Sequence, residues 1–425
     1  MTHAFQGIFW LSVCWLGYVY LGYPATLLFL GLFRSFRPVL SDGYLPKVSV
    51  LVSARNEQKD IGWKIAETLS WNYPMGQLEM LVASDASEDD TDKILRNVTD
   101  TRLRYLRLEE RKGKNEALNR LSEIARGDLL FFSDANSHIE PGCLGRVVRH
   151  FSDPRVGCVT GSECTIRSSE DHAATAGIRA SLGYEGLVNT LESRLGSVLV
   201  CDGSIFCVRR SLFHSLQADL ANDLELPIQI GAEGYAILFD PSALSFEKAS
   251  SPREEFRRKR RICGQGALGG WRLRHRLGGL RGWQFFSRKV LRWLGLIPVT
   301  LTFISTVALI SIPFYAVVFT LQFFLGALAL IGWGFATRNR EGSGLTGLPF
   351  YFMLVNLGAL SGVLKAICGE RFSVWESPAH SRGAHSVSSS TGRGDKNQAL
   401  VSSESGRLHE SIAYHPELHR EKYRP

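Results

Sequence analysis

The stretch Leu129-Leu130-Phe131-Phe132-Ser133-Asp134-Ala135-Asn136 narrows the possible folds more than any other part of the chain. Apolar residues from Leu129 to Phe132, set between Gly127-Asp128 and a polar cluster, read as a short strand buried on both faces. A strand of that kind runs through the middle of a sheet. In open α/β sheets, ligands gather outside the carboxyl ends of such strands, where the loops diverge. Asp134 and Asn136, one residue apart at that end, offer oxygens to a hard divalent cation or to a ribose hydroxyl. Ser, Asp and Asn also favour plain turns, so this stretch alone leaves both readings open.

The same pattern recurs on either side. Val48 to Val52 is an apolar run ending in Ser53-Ala54-Arg55-Asn56-Glu57, and Leu78 to Ala83 ends in Ser84-Asp85-Ala86-Ser87. Leu103 to Leu108 and Val156 to Thr160 are further strands. Helical spacing of Ile61, Ile65 and Leu69, of Ile94 and Leu95, and of Ala117, Leu118, Leu121 and Ile124 places helices between them. Strands alternating with helices at this interval predict a Rossmann-like α/β domain with a doubly wound parallel sheet. Beyond it, residues 177–193 read as a helix, residues 198–210 as a turn into a strand, and Tyr235 to Phe239 and Ala243 to Glu247 as two more strands.

Both ends of this domain are apolar. Phe5 to Phe33 is long enough to cross roughly 30 Å of hydrocarbon as a helix. Arg34, Arg37 and Lys47 follow it, so the positive-inside rule places the next domain in the cytoplasm. Residues 294–370 carry further apolar segments, broken near Pro313 and by the basic loop Arg338 to Arg340, and predict three crossings. The expected organisation is a membrane anchor over residues 1–40, a cytoplasmic domain over 46–270, interfacial helices over 271–293, transmembrane helices over 294–370 and a disordered tail over 377–425. The expected location is the inner or plasma membrane, with several passes.

The net charge of +8 is concentrated in Arg257 to Arg261 and in residues 272–292, just ahead of an apolar region. Membrane lipids or a diphosphate-bearing substrate suit that placement better than nucleic acid. The eight cysteines contain no Cys-x-x-Cys pair, which argues against a zinc site and against a dense disulfide framework. Gly264-Gln265-Gly266-Ala267-Leu268-Gly269 spells a dinucleotide fingerprint, but it follows a basic run where the fingerprint needs a buried strand. It reads as a flexible joint between domain and membrane.

Taken in order, Ala54-Arg55-Asn56-Glu57, Ser84-Asp85-Ala86-Ser87, Lys112-Gly113-Lys114 with Ala117-Leu118-Asn119, and Ser133-Asp134-Ala135-Asn136 resemble the membrane-bound family 2 glycosyltransferases. That family has the GT-A fold and includes the cellulose, hyaluronan and poly-N-acetylglucosamine synthases. The resemblance implies an inverting transfer of sugar from a nucleotide-sugar donor, a UDP-sugar first, to a glycan or lipid-linked acceptor. It implies nucleotide binding by Arg55, Asn56, Glu57, Asp85, Lys112, Lys114 and Asp134, and Mg²⁺ or Mn²⁺ at Asp134 and Asn136. It further implies an acceptor side at Asp202 and Gly203, Asp223 as general base with Glu247 as a weaker second, and Arg258 and Arg261 on the leaving diphosphate.

Three positions depart from the family pattern. Asn136 stands where many relatives have a second carboxylate, Asn222 replaces the acid beside the base, and Ile262 replaces a tryptophan that could stack on the acceptor sugar. These departures keep a second expectation open, that of a catalytically silent membrane scaffold with the same fold.

Overall fold

The computed structural model describes residues 1–166, 174–338 and 344–371. The expected tail and most of the loop at Arg338 to Arg340 lie outside the described residues.

The strands β1 (Val48–Ala54), β2 (Leu78–Asp85), β3 (Leu103–Leu108) and β4 (Leu129–Phe132) form where the apolar runs predict them. With β5 (His138–Ile139), β6 (Val156–Ile166), β7 (Phe206–Arg209) and β8 (Ala236–Lys248) they make one sheet in the order β3-β2-β1-β4-β7-β6-β8-β5. The β1 to β4 half is parallel, as predicted. The other half corrects the prediction, because β7 runs antiparallel to both β4 and β6, and β5 antiparallel to β8. The sheet is mixed. The two strands expected at 235–239 and 243–247 are one strand, with a register shift opposite Thr160 and Ser162 where it bends.

Two apolar layers hold the sheet. Val50, Val52, Met80 and Phe131 pack on one face against Ile61, Ile65 and Val147. Leu51, Leu81, Leu130 and Phe132 pack on the other against Leu118, Leu121 and Leu226. Strand residues alternate faces, so adjacent residues of β1 and β4 enter different cores, and neither core leaves room for a polar residue in the strands' centre.

The apolar ends are helical. Thr2–Phe33, Pro313–Thr337 and Gly344–Ile367 are long and apolar enough to cross a membrane. The fourth expected crossing corresponds to a bent pair, Gly279–Trp293 followed at 53° by Leu296–Ala308. The latter has 13 residues, about 20 Å of helix, and is too short to span alone.

The supposed joint at Gly264 to Gly269 is a second correction. It lies inside a continuous helix, Pro252–Arg272, capped by a Ser251–Glu254 capping box. Its glycines are points of close packing: a methyl group on Gly266 would meet the Trp293 ring at 2.7 Å. Across this helix, Gly362 of the Gly344–Ile367 helix sits so near the Arg260 carbonyl and the Gly264 nitrogen that no side chain fits. We expect Gly362→Val to lower the stability of the detergent-solubilised protein by about 1–3 kcal/mol through overpacking. Thermal unfolding of the variant beside Gly183→Val, a position with open space, checks it.

Candidate functional site

The strand tips of β1, β2 and β4 open onto a small crevice lined by Ser53, Arg55, Asp85, Lys114, Asp134 and Ala135. Each is held there by local backbone geometry. The Asp85 carboxylate accepts hydrogen bonds from the backbone N–H groups of Lys112 at 2.7 Å and Gly113 at 2.9 Å. Gly113 has φ of 90°, a left-handed conformation that glycine adopts without cost, and this turns both N–H groups toward β2. The turn starts the Lys114–Ile124 helix, whose first side chain crosses the crevice to pair with Asp134 at 2.5 Å.

Arg55 donates to the carbonyl of Asp85 at 2.7 Å, to that of Ala86, and to Glu88 at 2.8 Å. It clamps the β2 loop and also lines the crevice. Asn56 and Glu57, expected against the nucleotide, lie on the adjoining loop outside the residues that line the crevice. The Asn56 amide oxygen accepts from the Glu88 backbone at 2.8 Å, and Glu57 is buried, its backbone N–H donating to Thr91 at 2.9 Å. Lys112 contributes its backbone, while its side chain is exposed. None of the three is among the residues that line the crevice.

Asp223 lies at the start of the Asn222–Ala232 helix, half-buried, its carboxylate beside Gly203. A methyl group on Gly203 would touch Asp223 Oδ2 at 3.6 Å, so the glycine leaves the carboxylate's approach clear. Burial pushes the Asp223 pKa above the ordinary carboxylate range, against the opposing fields of Lys114, Lys289 and Arg261 and with that of Asp134. Two of those groups, Lys114 and Asp134, line the crevice. Arg261, on the Pro252–Arg272 helix, feels both Asp223 and Asp134, and its only hydrogen bond to a described residue is to the Gln265 amide at 3.3 Å.

Arg258, expected on the leaving diphosphate, has a carboxylate partner in this structure. It pairs with Glu163 of β6 at 3.1 Å, which raises its pKa. Asp202, Glu163 and Glu247 form an acidic cluster around it: burial, then Glu163, raises Asp202 to about 7, and burial and the same glutamate raise Glu247 well above its ordinary value. Asp202 Oδ1 is already engaged by the backbone N–H and hydroxyl of Ser204.

The sequence reading missed Lys64. Fully buried, it donates to the Ser137 carbonyl at 2.7 Å and holds the loop after Asp134 from beneath, while its neighbour Glu67 accepts from the Ile139 N–H at 2.9 Å. The signal was present, since Ile61, Lys64, Ile65 and Thr68 share the apolar stripe of one helix and a lysine there needs a buried partner.

Residues 49–216 match the Glycosyl transferase family 2 profile. This segment is a family 2 glycosyltransferase domain. It covers β1 to β7 and ends shortly before Asp223. Over 215 residues the chain is 26% identical to the probable glycosyltransferase YdaM of Bacillus subtilis, covering 48% of this chain and 51% of the relative. Over 211 residues it is 29% identical to the beta-monoglucosyldiacylglycerol synthase of Trichormus variabilis, covering 47% and 45%. The chain thus spans about half the length of the curated relatives it matches. Among solved structures, the mannosyltransferase PcManGT from Pyrobaculum calidifontis, in complex with GDP-Man and Mn²⁺, superposes with a TM-score of 0.65 at 18% identity, over 86% of this chain and 99% of that one. The fold is GT-A, as the resemblance implied.

In the glycosyltransferase domain, Asp134 and Asn136 fit a divalent cation in part. Neither Asp134 Oδ2 nor the Asn136 amide accepts or donates a hydrogen bond among the described residues, while Asp134 Oδ1 is taken by Lys114. No set of three His, Cys, Asp or Glu side chains closes on an ion among the described residues. One carboxylate and one amide suffice only for a cation such as Mg²⁺ that draws its other ligands from donor phosphates and water. We therefore expect Asn136→Asp to lower the half-saturating Mn²⁺ concentration by about tenfold, since one more ligand charge raises affinity. Titrating Mn²⁺ by its paramagnetic signal reads this without turnover.

Proposed function

We propose that the protein is an inverting glycosyltransferase that moves a sugar from a nucleotide-sugar donor, with UDP-sugars the first candidates, to an acceptor at a membrane surface. The observation that carries the reading is the meeting of Asp85, Lys114 and Asp134 in one crevice, with Asp223 and Arg261 in its electrostatic field.

The residues divide the reaction as follows. Asp85 and Arg55 border the nucleotide, and the Lys112 and Gly113 N–H groups keep the Asp85 carboxylate in place. When a donor enters, its diphosphate takes over the Lys114 ammonium now paired with Asp134. A divalent cation held by Asp134 and Asn136 would supply further positive charge to that diphosphate. Asp223 accepts the proton of the acceptor hydroxyl as its oxygen bonds to the anomeric carbon. The carbon–phosphate oxygen bond breaks on the opposite side, and Arg261 and Lys114 stabilise the charge on the departing nucleoside diphosphate. Arg258, committed to Glu163, shapes the floor of the acceptor side.

The apolar helices and the arginines beyond Phe33 support a multi-pass protein in the plasma or inner membrane with this domain on the cytoplasmic side. A screen of UDP- and GDP-sugars for hydrolysis or transfer by the full-length protein in nanodiscs tests the reading. Release of nucleoside diphosphate from one donor, lost in Asp223→Asn, is the expected result. Binding without turnover of any donor would instead favour the silent scaffold.

A further inference from the structure

The segment Gly279–Trp293 leads from the catalytic domain into the bent apolar pair, and its basic residues have sharply different fates. Arg288 is buried between Glu192 at 2.6 Å, Glu185 at 2.5 Å and Asn189 at 2.8 Å. Arg292 pairs with Glu185 and lies over the Tyr184 ring at 5.3 Å. The sequence places these charges against membrane lipids or a diphosphate-bearing substrate, but the carboxylates of the Thr175–Ser193 helix take Arg288 and Arg292. Lys289 between them is half-buried and makes no hydrogen bond or ion pair with any described residue. The Glu185 and Glu192 carboxylates act on it from a distance, and its ammonium keeps room for a further anion at hydrogen-bond range.

Its surroundings say where that anion would sit. Val290 and Trp293 join a cluster with Leu224, Leu199 and Cys263, and Trp293 rests on Gly266. Leu224 is the residue after Asp223, so the turn that carries Lys289 packs next to the base. The charge of Lys289 acts on Asp223 and on Cys263, whereas Arg261 is coupled to Asp134 as well as Asp223. Lys114 lines the crevice, whereas the Lys289 turn comes next to Asp223 through Trp293 and Leu224, which both meet one point at Gly266, at 2.7 and 3.8 Å. Eight residues further on, Ile297, Leu301 and Ile304 begin an exposed apolar stripe at helical spacing, a surface along which acyl or prenyl chains could lie.

We propose that the acceptor is a membrane lipid whose hydroxylated head is carried on a phosphate, and that Lys289 receives this phosphate and so brings the head's hydroxyl to Asp223. The inference builds on the glycosyltransferase reading and narrows its acceptor. The new bond joins the head's oxygen to the anomeric carbon, the proton passes to Asp223, and the bonding pair leaves on the nucleoside diphosphate. The lipid's phosphate is bound and unchanged.

The test uses the full-length protein in phosphatidylcholine nanodiscs with the donor that it hydrolyses. Phosphatidylglycerol and a prenyl-diphosphate-linked sugar are offered as phosphate-bearing acceptors, and diacylglycerol and a soluble oligosaccharide as neutral ones. Transfer to one phosphate-bearing lipid is expected, with Lys289→Gln raising the KM for that lipid about tenfold while the donor KM holds, and Lys289→Arg restoring most of the loss. Preferred transfer to a neutral acceptor, transfer to none while the donor is still hydrolysed, or equal rises in both KM values for Lys289→Gln would each overturn the proposal. Absence of any donor turnover would overturn the glycosyltransferase reading itself.

Discussion

Asp223→Asn is expected to lower kcat for sugar transfer by roughly 10²–10⁴-fold, the usual contribution of a positioned general base, while leaving the affinity for the donor's nucleoside diphosphate intact. The amide keeps the shape of the carboxylate beside Gly203 but cannot take a proton. The wild-type pH profile adds a second check. A base works ionised, and burial raises the Asp223 pKa above its ordinary 3.8. The acid limb of kcat/KM therefore lies above that value, with the rate falling about tenfold for each pH unit below it. In Asp223→Asn that limb disappears. If the variant kept both its rate and its limb, the base would be another group, and Glu247 is next in line because its proton affinity is raised by burial and by Glu163.

Arg288→Met is expected to cost about 3–5 kcal/mol of stability, read as thermal unfolding in detergent. Glu192 has no exposed surface, and its oxygens are held by Arg288, by the Tyr23 hydroxyl and by the Leu199 N–H at 2.9 Å. Removing the arginine strands a buried carboxylate at the point where the N-terminal helix, the Thr175–Ser193 helix and the Gly279–Trp293 segment meet. The double variant Arg288→Met with Glu192→Gln should regain part of the loss, because no uncompensated charge then remains. Strict additivity of the two losses would show that Arg288 acts by packing alone.

Two sets of residues divide the work around Asp223 in the proposal: Asp85, Lys114 and Asp134 line the crevice at the strand tips, and Trp293 of the Gly279–Trp293 segment packs with Leu224. The absence of a tryptophan at Ile262 is consistent with that division, and the nearby Trp293 does not substitute for it, being buried against Gly266.

Much of the catalytic half was legible because its signals are local. Apolar runs with period two or none specify β1 to β4, the 3.6-residue spacing specifies the helices between them, and the polar residues at each strand's end fall at the crevice wherever the strands are parallel. Asp85, Lys114 and Asp134 came together for that reason. Asn56, Glu57 and Lys112 sit on the same loops, yet Asn56 bonds the Glu88 backbone through its amide, and Glu57 and Lys112 bond Thr91 and Asp85 through their backbone N–H groups, contacts that only folding sets.

What the amino-acid order determined by itself was therefore the set of elements, the apolar ends and the loops that could carry chemistry. Tertiary structure alone decided the antiparallel β7, the helix through Gly264 to Gly269, the pairing of Arg258 with Glu163 and of Arg288 with Glu192, and the packing of Trp293 with Leu224. The physical reason is range. Backbone periodicity is set by neighbours within a few residues, whereas a charge acquires its partner, and a glycine its purpose, only from chain segments brought alongside by folding.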